Sequence, residues 1–182
     1  VANGAPVGFT EDFSGLSLDA SWNQGGYGPG HLGLTGAGEY ELTTVWQSAP
    51  KLQRFDTGDA NPLTSYTHEI TVNMDTFFLT GSGGTQSDFK WKNFGADGFM
   101  EIVLNSFGDM RVYHNNQTEG AGGDLVSNTN IGVSEGDSLS LVQSYNAGTD
   151  TMDISYSINA GASTPFFSGT GNGGSIGNVI GN

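Results

Sequence analysis

The stretch Asp97–Asn115, reading DGFMEIVLNSFGDMRVYHN, constrains the fold more than any other part of the chain. Met100, Ile102 and Leu104 alternate with Glu101, Val103 and Asn105. After Ser106-Phe107-Gly108-Asp109, Met110 and Val112 alternate with Arg111 and Tyr113. Apolar residues at every second position share one side of an extended chain, and a Gly-Asp turn between two such runs predicts a β-hairpin. The pairing that keeps the apolar residues together sets Leu104 against Met110, Ile102 against Val112 and Glu101 against Tyr113, with Arg111 diagonal to Glu101. One face is then oily and covers a core, while the other carries an acid, a base and an aromatic ring.

The rest of the chain agrees with this. Thirty glycines and five prolines among 182 residues cut it into short alternating runs, and no amphipathic helix of useful length stands between them. That rhythm predicts an all-β fold with many turns, an antiparallel β-sandwich. With 35% hydrophobic residues the chain has enough apolar surface to fold, which argues against disorder. We expect residues 1–8 to be a leader or linker remnant and residues 9–182 to form one sandwich domain.

Tyr66–Met74 (YTHEITVNM) predicts a strand with Ile70, Val72 and Met74 on one side and Glu69, Thr71 and Asn73 on the other. Asp88–Lys92 (DFKWK), Asp137–Tyr145 (DSLSLVQSY) and Thr151–Ile158 (TMDISYSI) predict three more, Tyr40–Trp46 another, and Phe166-Phe167 begins a closing strand. The glycine-rich segment 23–38, the turn-rich segment 51–64 and the polar segment 115–130 are expected to be loops.

A net charge of −14, from 19 acidic and 5 basic residues, argues against nucleic-acid partners and anionic membranes. The absence of cysteine removes disulfides, thiolate nucleophiles and zinc-thiolate sites. No apolar run approaches membrane-spanning length, so no membrane insertion is expected. The chain begins at Val1 rather than Met, which fits a removed signal segment and equally a trimmed sequence, and we expect a secreted or cell-surface location.

The run Glu11–Trp22, EDFSGLSLDASW, resembles the opening of concanavalin A-like lectin and glucanase domains. In those domains an edge strand ending in Asp-Phe leads through a Leu-Asp turn to a Trp. The pair 137–145 and 151–158 is similar to the C-terminal half of laminin-G-like sandwiches. This resemblance implies a jelly-roll sandwich and carbohydrate as the partner. It also implies a structural calcium held by an N-terminal acid and an Asp near the C-terminus, for which Glu11 and Asp153 occupy comparable places.

Catalysis asks more of the residues than binding does. Glycoside hydrolysis needs two carboxyl groups flanking the scissile bond, and the E-x-D-x-x-E type motif of the superfamily's glucanases is missing, leaving only Glu69 and Glu101 to meet from neighbouring strands. A lyase would need Arg111 with a Tyr113 or His114 base, yet adjacent strand residues point to opposite faces. No nucleophile-elbow motif is present. Sugar binding needs aromatic rings for C–H faces and polar groups for hydroxyls, both of which the chain supplies. We therefore expect a carbohydrate-binding, lectin-like module for a polysaccharide or oligosaccharide, with Glu69, Asn73, Lys90, Lys92, Glu101, Arg111 and Tyr113 as the ligand-binding set. Lys90, Lys92 and Arg111 are three of the five basic residues in the chain, and their clustering suits an anionic glycan, sulfated or uronic. The bland alternatives are lysines that protect a sheet edge and aromatics that belong to the core. The rival functions are a divergent glycoside hydrolase or lyase, and a calcium-binding adhesive module.

Overall fold

The computed structural model describes residues 17, 22–27, 31–34, 40–43, 49–54, 65–74, 88–95, 98–105, 107–115 and 124–169. In chain order the strands are β1 Trp22–Tyr27, β2 His31–Leu34, β3 Tyr40–Thr43, β4 Ala49–Arg54, β5 Tyr66–Asn73, β6 Asp88–Gly95, β7 Gly98–Asn105, β8 Asp109–Asn115, β9 Asp124–Asn130, β10 Ser138–Asn146, β11 Thr151–Ile158 and β12 Thr164–Gly169. No helix occurs among the described residues, and every strand pair is antiparallel.

The chain divides into two compact units, Val1–Asp59 and Ala60–Asn182. In the first, β1 pairs with β4 and β2 with β3. Three expected loops are corrected by the ladder. Segment 23–38 holds most of β1 and all of β2, segment 51–64 holds the end of β4, and segment 115–130 holds β9. The reason is physical: sheet hydrogen bonds come from main-chain groups, so a run such as WNQGGY pairs without any alternation of apolar side chains.

In the second unit, one four-stranded sheet has the order β12-β11-β10-β5 and the other β6-β7-β8-β9. A single buried cluster joins them. Met100, Ile102, Leu104, Met110 and Val112 come from the β6–β9 sheet, and Leu139, Leu141, Tyr145, Met152 and Ile154 from the β5/β10–β12 sheet. This is an antiparallel β-sandwich. Ile131 and Val133, on the chain segment that crosses from β9 to β10, fill the same core. Each fully buried Leu or Met contributes about 1.5–3 kcal/mol through water exclusion.

The register of the central hairpin is the one its alternation demands: Leu104 opposes Met110, Ile102 opposes Val112, and Glu101 opposes Tyr113. Its corner is fixed by side chains. Asn105 Oδ1 accepts from the backbone N–H groups of Phe107 (2.9 Å) and Asp109 (3.0 Å). Asn130 Nδ2 donates to the Phe107 carbonyl (2.8 Å), and Ile131 N–H donates to the Gly108 carbonyl (2.9 Å), tying the corner to the crossing segment. Gly108 has φ +80°, and a Cβ there would lie 3.2 Å from the Val133 carbonyl oxygen, so both conformation and space favour glycine.

Candidate functional site

Strand parity and register place each predicted residue. Across the β6–β9 sheet, one outward row runs Lys90, Val103, Arg111, Asn128, and the next contains Lys92, Glu101 and Tyr113. These are opposite in parity to Trp91, Ile102 and Val112, which face or pack against the core. The structure therefore brings Lys90, Lys92, Glu101, Arg111 and Tyr113 together on one face. With strands spaced about 4.8 Å apart, the row from Lys90 to Asn128 spans on the order of 14 Å.

Glu69 and Asn73 are elsewhere. They lie on β5 opposite Val142 and Ser138, on the outer face of the other sheet. The single polar face expected to bear Glu69, Asn73, Glu101, Arg111 and Tyr113 is thus corrected by the register to two faces on opposite sides of the sandwich core. The same geometry removes the catalytic pairing of Glu69 with Glu101, because the core cluster lies between their sheets. The opposition of Tyr113 and His114 is observed: Tyr113 is half-buried on the outer side, while His114 is fully buried on the core side.

Within the face, the side chains differ in availability. Glu101 is only 7% exposed, and its Oε2 lies 2.7 Å from Lys92 Nζ, an ion-pair distance although no donor meets that oxygen at hydrogen-bonding angles. These two charges offset one another. Arg111 Nη2 reaches Asp109 Oδ2 at 3.8 Å, a loose contact at a half-exposed site that is worth little in water. Lys90 is exposed, and neither it nor Tyr113 makes a hydrogen bond or ion pair with another described residue. Val103, 5% exposed, sits between Lys90 and Arg111 in the row and gives the face an apolar floor. Among the described residues, Lys90 and Tyr113 are therefore free to meet a ligand and Arg111 is held only loosely, and the net charge of the three is positive.

Lys90 and Lys92 also occupy β6, which pairs only with β7 among the described strands. Lysines at a sheet edge discourage pairing with another chain, and that role is compatible with ligand contact. Asp153 is exposed on β11, whereas Glu11 and residues 55–64 of the turn-rich segment lie outside the described residues. Among the described residues no three His, Asp or Glu side chains gather as metal ligands, and with Asp153 the single placed member of its pair no calcium site is derived.

Sequence reasoning missed the buried polar residues. Asn105 is 1% exposed, and His114 and Gln143 sit on the core side of their strands at 0% and 1%. The signal for His114 and Gln143 was in the alternation itself, since each continues the apolar parity of its strand. No protein-family model and no curated protein sequence matches the chain.

Proposed function

We propose that this protein binds carbohydrate through the outer face of its β6–β9 sheet, as a lectin-like module of concanavalin A-like type acting at the cell surface or in the secreted phase. The observation that carries this reading is the placement of Lys90 on β6 and of Arg111 and Tyr113 on β8, strands of one sheet with β7 between them, where Lys90 and Tyr113 bond no other described residue and Arg111 makes only its loose contact with Asp109, in a chain with only 5 basic residues. The Tyr113 ring offers a surface for the C–H face of a sugar, and the two cations offer hydrogen-bonded charge to sulfate or uronate groups. The ligand this favours is an anionic polysaccharide lying along the rows. The engagement of Glu101 with Lys92 counts against an acid–base role for that carboxylate, so the reading is binding without catalysis.

Affinity electrophoresis in gels containing alginate, a sulfated galactan or a neutral glucan tests it. Retardation by an anionic polymer, weakened in Arg111→Ala and Tyr113→Ala, is the expected result. Equal mobility of both variants and the parent protein in every anionic gel would remove this face from the explanation.

A further inference from the structure

A second site stands on the other side of the sandwich. A depression of about 390 Å³ is lined by Ser65, Tyr66, Thr67, Ser144, Asn146 and Asp153, together with Tyr145. Its floor is a cross-strand row: Thr67 opposes Ser144, and Ser144 opposes Asp153, all with outward parity. Thr67 Oγ1 and Ser144 Oγ share a hydrogen bond at 3.0 Å. Its rim is held in place, because the Ala147 N–H donates to Ser65 Oγ (2.9 Å) and the Gly148 N–H donates to Asn146 Oδ1 (2.9 Å). The first bond ties the β10–β11 turn to the residue that precedes β5, and the second braces the turn itself.

We infer that this depression binds one neutral sugar ring through its vicinal hydroxyls. The donor and acceptor count supports that chemistry. The Asp153 carboxylate, which has no hydrogen bond or ion pair with another described residue, accepts from two hydroxyl groups. Asn146 Nδ2 and the Ser65 hydroxyl remain as donors once their oxygens are occupied by the turn, and the Thr67–Ser144 pair supplies one further donor with spare lone pairs. A diol that both donates and accepts satisfies this set. The volume lies at the small end of the range for small-molecule sites, about 300–1,000 Å³, which suits a single ring rather than a chain. Among the described residues no basic side chain lines the depression, so a sulfate or uronate would meet Asp153 uncompensated by any of them. The site therefore selects against the anionic ligands that the opposite face favours, and its occupancy does not depend on that face.

Titration of the ¹⁵N-labelled protein with methyl glycosides of neutral pyranoses, followed by amide chemical shifts, tests the inference. At least one glycoside is expected to shift the amides of Ser144, Ala147, Gly148 and Asp153. Affinity should fall at least about tenfold in Asp153→Ala and be retained in Arg111→Ala. Asp153→Asn, which keeps one acceptor, should fall between parent and Asp153→Ala. The inference is overturned if no neutral glycoside moves those amides. Equal binding by Asp153→Ala, or the same shifts produced by calcium and by no sugar, would overturn it as well. Loss of anionic-polymer binding in Arg111→Ala with neutral-sugar binding intact separates the two sites.

Discussion

Replacing Lys92 with Met removes the cation from Glu101 while keeping most of the side-chain volume. At 2.7 Å and an effective dielectric constant of about 20, the pair's gross attraction is about 6 kcal/mol. Most of that is offset by the water each charge gives up, and the Lys92 side chain, 26% exposed, still holds part of its hydration. The net cost of Lys92→Met is set by Glu101, whose side chain is only 9% exposed and would be left as an uncompensated carboxylate. The expected destabilisation is about 1–3 kcal/mol, between an exposed pair and a fully buried one. Urea unfolding of the parent, Lys92→Met, Glu101→Gln and the double variant completes a cycle. In the Glu101→Gln background Lys92→Met should be close to neutral, because the charge it leaves behind is already gone. A cost below about 0.5 kcal/mol in the parent, or the same cost in both backgrounds, would show that the pair does not hold this face together. The substitution also reads out function, since freeing the Glu101 carboxylate makes the face less attractive to an anionic polymer.

Two further outcomes follow from single groups. Tyr145 is 6% exposed, and burial, with the hydrogen bond to Asp150 (3.1 Å) and that carboxylate's charge, pushes its pKa from its ordinary value near 10 to about 12. The folded state thus holds a proton that the unfolded state releases. The stabilisation, on the order of 2 kcal/mol, is complete below pH 10 and is lost as pH rises towards 12. Urea midpoints measured across that window should fall less steeply in Tyr145→Phe than in the parent, and equal slopes would refute the assignment. At the β11–β12 turn, Asn159 and Ala160 have φ of 52° and 55°, and Gly161 N–H closes on the Ile158 carbonyl at 2.9 Å, the pattern of a type I′ turn. Alanine is strained there, so Ala160→Gly should raise stability by about 0.5–1 kcal/mol in thermal unfolding, and a lowered midpoint would contradict the strain.

Where side-chain alternation is strong, the sequence was enough. The β7–β8 register and the bounds of β11 follow from it, because one face of each strand is buried and a one-residue slip would turn its apolar set outward. β1, β2 and β9 were illegible for the converse reason. WNQGGY, HLGL and DLVSNTN carry no sustained period of two, and their pairing is a matter of backbone bonds that no side-chain pattern reports. Asn105 and Asn130 were likewise unread. Their work is to accept from and donate to the chain at a hairpin corner, and that requires knowing that the crossing segment at Ile131 comes back against Gly108.

The candidate site shows the same limit one level higher. Parity tells which side of its own strand a residue occupies, and on that point Glu69, Asn73, Glu101, Arg111 and Tyr113 all read correctly as facing away from the core. Parity does not tell which sheet the strand joins. β5 pairs with β10, far along the chain, whereas β6 to β9 form a meander of consecutive neighbours. Two residues that both face outward in a sandwich are neighbours if their strands share a sheet, and are separated by the full thickness of the core if they do not. That one topological step divides the polar residues into a face that gathers Lys90, Lys92 and Arg111 and a face bearing the Asp153 carboxylate, which bonds no other described residue. The uniform average implied by a net charge of −14 therefore describes neither surface. A ligand within a few ångströms responds to the local groups, because charges farther than a Debye length, about 8 Å at physiological salt, are largely screened.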